Sequence, residues 1–287
     1  MRVFTVDLYD YFKVDKIDGA RALLTCYLPN RSIEINAKRK RPAMLVLPGG
    51  GYGMVSDREG EPVALKFLNS GFVSFVLTYS VAPVRFPRQL TEAVMAMNYI
   101  RLNAEEFGVA PDMVSAIGFS AGGHLCATLG SICDCDAVKS LFASRVDPRP
   151  NAVVLGYPVI TCHNEKGHVG SFKNLLGEEN KDEYEKLDLV KLIDSKSSPA
   201  FIWATYTDGV VPVRNAILAA DAYESADVPF SIHVWGRGQH GLSVADKTVY
   251  CKEGEVYPAL VNATNSVAKW FDLAVEWLEE MGVCIKD

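Results

Sequence analysis

The chain has 287 residues, of which 49% are hydrophobic and 22% are charged, and its formal net charge at pH 7 is −6. These fractions are typical of a globular protein with a sizeable core. The acidic balance argues against nucleic acid or an anionic membrane as a partner, and no apolar run approaches the roughly 18 residues of a membrane span.

Short apolar segments alternate with amphipathic helical segments along most of the chain. Residues 2–7 and 20–28 come first and are predicted to form antiparallel strands. Further strands are predicted at 43–47, 72–78, 114–117, 152–156, 200–206 and 230–235. Helices are predicted at 61–70, 87–107, 121–132, 213–225 and 262–281. The later strands are almost continuously apolar, which is typical of strands covered on both faces, so we expect an α/β fold with a mostly parallel sheet.

One region interrupts this alternation. Residues 158–199 separate two predicted strands, and this is far more chain than a crossover connection requires. The segment is either an extended surface crossover or a cap, and we favour a cap because long insertions above such sheets usually line the pocket. No internal repeat and no Pro- or Ser-rich linker divides the chain, so residues 1–287 are predicted to form one domain.

A candidate nucleophile directly follows the predicted strand at 114–117. Residues 118–122 read G-F-S-A-G, which puts Ser120 between a strand and a helix. In a G-x-S-x-G turn the neighbours of the serine must be small, and its hydroxyl is exposed beside the helix N-terminus. Glycine and serine co-occur in many turns, so the pattern has value only if an oxyanion loop, an acid and a histidine accompany it.

A serine hydroxyl needs a histidine to accept its proton, and the histidine needs an acid to orient it. Asp208 directly follows a predicted strand, where an acid on the nucleophile's edge of the sheet would lie; the alternative is an ordinary turn aspartate before glycine. His240 lies in a glycine-flanked loop after the last strand and is the predicted base. By contrast, His233 falls inside that strand, and His124 lies one helical turn after the nucleophile.

The developing oxyanion needs preorganised N–H donors. One is typically the amide of the residue after the nucleophile, here Ala121. Residues 48–53 read P-G-G-G-Y-G behind an early strand, and their glycines let the backbone turn its amides inward, so Gly50 and Gly51 are predicted as further donors. This loop lacks the lysine and the following Ser or Thr of a phosphate-binding P-loop.

Taken together, these segments resemble the α/β-hydrolase esterases, specifically the acetyl-xylan-esterase-like and hormone-sensitive-lipase-like branch. The resemblance covers about residues 44–244. It is carried by the stretches 48–52, 61–64, 78–83, 118–125, 208–213 and 238–241. Many relatives have histidine where this chain has Pro48, and arginine where it has Ser80. Neither departure removes a catalytic atom.

The resemblance implies a three-layer fold: a mostly parallel eight-stranded sheet with helices on both faces and a small cap insertion. It also implies a triad of Ser120, His240 and Asp208 that hydrolyses short-chain carboxylic esters through an acyl-enzyme. The expected substrates are small-molecule esters, such as O-acetyl groups of small sugars or xylo-oligosaccharides. The residues expected to line the substrate pocket are Tyr52, His124, His163, His168 and Val211. No metal or organic cofactor is implied.

Three alternatives stay open. An amidase or peptidase, including an arylformamidase-like enzyme, would use the same three residues and differ only in its pocket. A lipase would need a broad apolar acyl channel. A binding module on the same scaffold would usually have lost one of the three catalytic side chains.

Cysteine usage indicates the compartment. The seven cysteines are an odd number and mostly lie within apolar segments, which is typical of free thiols in a reducing cytoplasm. Cys133 and Cys135 could form a metal or redox pair, but no second pair accompanies them. The first residues show no signal-peptide pattern. We therefore expect a cytoplasmic protein without a metal, and leave its association into a homo-oligomer open.

Overall fold

The computed structural model describes residues 1–163, 167–249 and 266–284. The strands are β1 (Arg2–Asp7), β2 (Leu23–Leu28), β3 (Arg41–Leu47), β4 (Val73–Thr78), β5 (Val109–Phe119), β6 (Val153–Gly156), β7 (Ala200–Thr205) and β8 (Phe230–Trp235). The helices are α1 (Leu8–Phe12), α2 (Glu61–Asn69), α3 (Arg88–Leu102), α4 (Ala104–Phe107), α5 (Ala121–Ile132), α6 (Asp136–Lys139), α7 (Val169–Leu176), α8 (Leu189–Leu192), α9 (Arg214–Ser225) and α10 (Trp270–Glu280).

The eight strands found among the described residues form one sheet in the order β1-β2-β4-β3-β5-β6-β7-β8. The pairs β1–β2 and β2–β4 are antiparallel, and every other neighbouring pair is parallel. The mostly parallel eight-stranded sheet expected from the sequence is therefore confirmed. Because β3 and β5 to β8 are parallel, the loops after their carboxyl ends meet at one edge of the sheet.

Helices cover both faces of this sheet, and the alternation along β3 shows why its apolar run is continuous. Leu45 and Leu47 belong to a buried cluster that includes residues of α3, α5 and α9. Met44 and Val46 point the other way, into a cluster with residues of α2 and α10. A strand buried on both faces needs apolar residues at successive positions, so the three-layer arrangement follows from the sequence pattern.

The predicted helix at 87–107 is two helices. α3 ends at Leu102 and α4 begins at Ala104 because Asn103 has a non-helical ψ of 15°. The side-chain amide of Asn103 donates to the carbonyl of Tyr99 at 2.7 Å. Such a local side-chain bond competes with the continuing helix. Of the helix predicted at 262–281, α10 and a preceding 3₁₀ turn at Val267–Lys269 are described, and residues 262–265 lie outside the described residues.

The segment at 158–199 folds as α7, a 3₁₀ segment at Glu178–Leu187 and α8. It lies against the glycine loop that follows β3, where the side-chain amide of Asn174 donates to the carbonyl of Gly51 at 2.9 Å. Its role as a cap remains a prediction. Across the described ranges, none of the helices combines the length and the apolarity needed to cross a membrane.

Candidate active site

The turn between β5 and α5 holds Ser120 in a conformation that few non-glycine residues adopt, with φ 53° and ψ −122°. The two glycines of the pentapeptide have no room for a side chain. A Cβ on Gly118 would lie 2.1 Å from the carbonyl oxygen of Gly122, and a Cβ on Gly122 would lie 2.1 Å from that of Leu47. The small residues of the pentapeptide therefore allow the sheet edge and the helix to approach, and this approach presents the hydroxyl of Ser120.

The structure brings Ser120, His240 and Asp208 into one hydrogen-bonded chain. Nε2 of His240 lies 2.8 Å from Oγ of Ser120, and its Nδ1 lies 2.7 Å from Oδ2 of Asp208. The other carboxylate oxygen accepts the backbone N–H groups of Val210 and Val211, both at 2.9 Å. An ionised carboxylate only accepts, so it holds the imidazole proton on Nδ1 and leaves Nε2 free to accept from the serine.

The loop that carries His240 is fastened to the end of β7. The hydroxyls of Thr205 and Thr207 both donate to the carbonyl of Gly238, at 3.0 and 2.8 Å, and the amide of Gly238 donates back to Thr207. On the other side, the ring of Tyr157 packs edge-on against the imidazole with a centroid separation of 5.0 Å. These contacts fix the position of the imidazole between the acid and the serine.

The glycine loop after β3 faces Ser120. Gly50 and Gly51 have φ values of 126° and 62°, which residues with a side chain rarely adopt. Within the described part of the chain their N–H groups make no backbone hydrogen bond. Ala121 is the first residue of α5, so its N–H has no acceptor inside that helix. Gly50 and Gly51 therefore line the cavity beside Ser120 with no backbone acceptor among the described residues, and the N–H of Ala121 has none within α5.

A cavity of about 630 Å³ opens at this edge of the sheet and is lined by Ser120, His240, Gly50 and Gly51. Glu59, Gln239 and the half-buried His168 contribute polar groups to the wall, and Met54 and Val210 contribute apolar surface. The cavity is large enough for a small ligand, and both polar and apolar side chains line it around the serine.

The BD-FAE family model matches residues 26–222 of the chain. Acetyl ester-xyloside bifunctional hydrolase from Caldicellulosiruptor lactoaceticus has 31% sequence identity to the chain, covers 99% of it with 98% of its own chain, and superposes with a TM-score of 0.81. The chain belongs to the BD-FAE family. An α/β hydrolase from a Medee basin deep-sea metagenome library, at 33% identity and a TM-score of 0.75, covers 98% of each chain.

Two curated relatives of this BD-FAE chain are longer proteins. Endo-1,4-β-xylanase B of Butyrivibrio fibrisolvens is 37% identical over 228 residues, which is 78% of this chain and 35% of the xylanase. The acetylxylan esterase of Xylanibacter ruminicola is 28% identical over 240 residues, which is 80% of this chain and 46% of that protein. The chain thus spans less than half of either relative. The family resemblance expected from the sequence is confirmed, and several relatives of the chain are named as esterases.

Two residues expected to line the pocket are buried instead. The hydroxyl of Tyr52 lies 2.8 Å from Nδ1 of His124, and Nε2 of His124 lies 2.9 Å from the carbonyl of Leu187. Since a carbonyl only accepts, Nε2 carries the proton and Nδ1 accepts from Tyr52. Burial lowers the pKa of His124 to about 4, so the ring is neutral. Tyr52 and His124 join the insertion to the back of the glycine loop and do not line the cavity.

The other pocket predictions have three different outcomes. His168 lines the cavity. Val211 has a buried side chain, and its backbone N–H holds Asp208. His163 has a side chain that is 51% exposed, lies 3.5 Å from a carboxylate oxygen of Asp188 and is not part of the cavity wall.

Cys162, His163 and Asp188 form the group of possible metal ligands found among the described residues. Asp188, however, already has a structural task. Its Oδ1 accepts the N–H of Val190 at the start of α8, and its Oδ2 accepts the hydroxyl of Thr161 at 2.5 Å. We assign this carboxylate to helix capping. Cys133 and Cys135, the pair considered from the sequence, are both free thiols, and Cys251 lies outside the described residues.

Sequence reasoning missed Glu59 and Tyr157. The carboxylate of Glu59 accepts the hydroxyl of Tyr157 at 2.6 Å and the N–H of Gly49 at 2.8 Å. Tyr157 directly follows β6 and has a φ of 36°, an unusual value for a tyrosine. The two residues are separated by 98 positions, and no local pattern in either segment predicts the contact.

Proposed function

We propose that the chain is a serine hydrolase that cleaves short-chain carboxylic esters through Ser120, His240 and Asp208. The observation that carries the proposal is the continuous chain of 2.8 and 2.7 Å contacts from the serine hydroxyl through the imidazole to the carboxylate. Such a chain lets the histidine take the serine proton while the acid stabilises the imidazolium that forms.

The reaction proceeds in two balanced steps. Oγ of Ser120 bonds to the ester carbonyl carbon as its proton moves to Nε2 of His240, and the collapse of the tetrahedral intermediate releases the alcohol, which takes that proton. Water then gives a proton to the same nitrogen and attacks the acyl-enzyme, and the collapse of the second tetrahedral intermediate releases the carboxylic acid while Nε2 returns that proton to Oγ of Ser120. The N–H groups of Gly50, Gly51 and Ala121 stabilise the oxyanion in both steps.

For the substrate we propose an O-acetyl group on a small sugar or xylo-oligosaccharide. The cavity wall includes the polar groups of Gln239 and His168, which suit a hydroxyl-rich alcohol, and two relatives are named acetylxylan esterase and acetyl ester-xyloside bifunctional hydrolase. His168 supplies a donor for such an alcohol. Its Nδ1 accepts the N–H of Ser171 at 3.3 Å, so the neutral ring carries its proton on Nε2. Burial lowers the pKa of His168, which favours that neutral form.

We retain the cytoplasm as the proposed location. The cysteines in the described ranges are free thiols, and burial raises the pKa of Cys133 and Cys162 to about 11, which keeps them unreactive.

The test of the reaction is hydrolysis of p-nitrophenyl acetate and butyrate together with labelling by a fluorophosphonate. We expect turnover and labelling in the wild type, no labelling in Ser120→Ala, and a loss of kcat of about 10⁴-fold in Asp208→Asn. Release of acetate from acetylated xylo-oligosaccharides, measured beside formylated and peptide substrates, tests the substrate class. A wild-type protein that neither turns over these esters nor reacts with the fluorophosphonate would contradict the proposal.

A further inference from the structure

Glu59 is 3% exposed and yet forms part of the wall of the catalytic cavity. A buried carboxylate is costly unless hydrogen bonds or an opposite charge stabilise it. We propose that Glu59 is a positioning residue, which holds the oxyanion loop through Gly49 and the loop of His240 through Tyr157. This inference rests on the proposed function of Ser120.

The hydrogen bonds around Glu59 have only one consistent direction. The N–H of Ser243 donates to the hydroxyl oxygen of Tyr157 at 2.9 Å, and that hydroxyl donates its own proton to Oε1 of Glu59. The N–H of Gly49 donates to Oε2 at 2.8 Å. Both carboxylate oxygens therefore accept, as an ionised carboxylate does. The hydroxyl of Ser120 is hydrogen-bonded to His240 and not to Glu59, so Glu59 acts through its neighbours.

The contact with Gly49 fixes the oxyanion loop. Gly49 immediately precedes the predicted donors Gly50 and Gly51, and a Cβ placed on it would lie 2.7 Å from Oε2 of Glu59 and 2.9 Å from Cβ of Ser120. The loop is thus packed between the carboxylate and the nucleophile with no room for an added side-chain atom. Donors aimed at a developing oxyanion need this kind of preorganisation, because reorganising them during the reaction would cost rate.

The contact with Tyr157 fixes the histidine. Tyr157 carries a strained backbone with φ 36°, which surrounding interactions must maintain. Its ring packs against His240, and its hydroxyl receives Ser243, three residues after that histidine. Ser243 is held a second time, since its own hydroxyl donates to the carbonyl of Arg58 at 2.7 Å. The segment 58–59 therefore connects the loops after β3, β6 and β8.

The decisive variant is Glu59→Gln, which keeps the size of the side chain but offers one acceptor to two converging donors. Glu92→Gln is the matched control, because Glu92 is an equally buried glutamate that accepts from Ser80 and Tyr9, away from the cavity. For p-nitrophenyl acetate we expect Glu59→Gln to lower kcat about 10- to 100-fold with KM within about threefold, and Glu92→Gln to leave kcat within twofold.

Tyr157→Phe removes the hydroxyl and keeps the ring. We expect it to lower kcat, and we expect the Glu59→Gln, Tyr157→Phe double variant to lose less than the product of the two single losses, because both changes break the same connection. If Glu59→Gln does not fold, as judged by thermal unfolding, Tyr157→Phe decides: an unchanged kcat overturns the inference.

Three other outcomes also overturn it. A wild-type kcat in Glu59→Gln shows that the carboxylate positions nothing, and an equal loss in Glu92→Gln shows a general effect of destabilisation. A rise in KM without a loss of kcat shows that Glu59 contacts the substrate instead. An inactive wild type would defeat the proposed function itself, and this result is distinct from an active wild type with an active Glu59→Gln.

Discussion

The turn around Ser120 and the insertion at 158–199 border the same cavity but are held in different ways. At the turn, backbone touches backbone, and even one methyl group on Gly118 or Gly122 would collide with a carbonyl. The insertion is attached by side chains: Phe172, Leu175 and Leu189 are buried in the core cluster. Polar contacts such as Asn174 to Gly51 and His124 to Leu187 add to this packing. The first region tolerates no added atom, whereas the surface side chains of the second, such as His168, can change without disturbing its core.

This difference separates reaction from specificity. The groups that we assign to chemistry lie on loops fixed by the sheet edge, whereas His168, which we assign to the substrate alcohol, comes from the insertion. Loops carried on a rigid scaffold are where binding functions diverge most readily. The following predictions test whether the two regions are independent.

The largest effect is expected at Gly122. In Gly122→Ala the new methyl group would lie 2.1 and 2.4 Å from the carbonyl oxygens of Leu47 and Pro48, so β3 and α5 must separate. We expect a fall in the free energy of unfolding of about 1–3 kcal/mol or more, with loss of fluorophosphonate labelling. Gly236→Ala is the control, because no described atom lies within 4 Å of a Cβ at that position. Unchanged melting and labelling in Gly122→Ala would contradict the close packing described above.

A smaller and more selective effect is expected at His168. His168→Phe keeps a ring but removes the Nε2 donor, so we expect kcat/KM for acetylated xylo-oligosaccharides to fall about threefold to tenfold. The value for p-nitrophenyl acetate, which lacks the sugar, should change less. His163→Phe is the control within the same insertion, since that side chain lies off the cavity wall. Equal losses for both substrates would show that the insertion and the catalytic turn are not independent.

The smallest effect on catalysis is expected at Glu92, which belongs to neither region and does not line the cavity. Burial raises the pKa of Glu92 from 4.5 to about 7, even though the amide and hydroxyl of Ser80 and the hydroxyl of Tyr9 donate to it. The folded protein therefore binds this proton more tightly than the unfolded chain does. The resulting stability is fully present below pH 4.5 and is lost as the pH rises through about 7, by up to about 3 kcal/mol.

Glu92→Gln cannot ionise and so lacks this pH-dependent loss. The free energy of unfolding of the variant minus that of the wild type should therefore be larger at pH 8 than at pH 5, with kcat unchanged. Denaturant unfolding at the two pH values measures this difference. A constant gap between variant and wild type across that range would show that Glu92 ionises alike in both states.

One of the two departures from the esterase pattern, Ser80, acquires a physical reason in the structure. Ser80 is the donor to Glu92 and also receives the backbone N–H of Arg21 at 2.8 Å, so this position joins the N-terminal strands to α3. At Pro48 the backbone carbonyl accepts the hydroxyl of Tyr79 at 2.5 Å, which helps to hold the glycine loop. Any residue would offer that carbonyl, so the structure does not explain the proline.

By itself, the sequence determined the α/β class, the course of the strands and the position of Ser120, because each of these depends on short-range patterns. Continuous apolarity marks a strand buried on both faces, and a serine between glycines marks a turn with no space. The sequence order also singled out Asp208 and His240, since parallel strands bring their following loops to one edge.

Only the tertiary structure decided which polar side chains support that edge. His124 and Tyr52 could have pointed into the cavity, but packing beneath the insertion turned them toward each other. Glu59 accepts the hydroxyl of Tyr157, which lies 98 residues away in the sequence, and no periodicity or spacing predicts this contact. A buried polar group is satisfied by whichever donor the completed fold presents to it, and that choice is made by packing in three dimensions, not by local sequence.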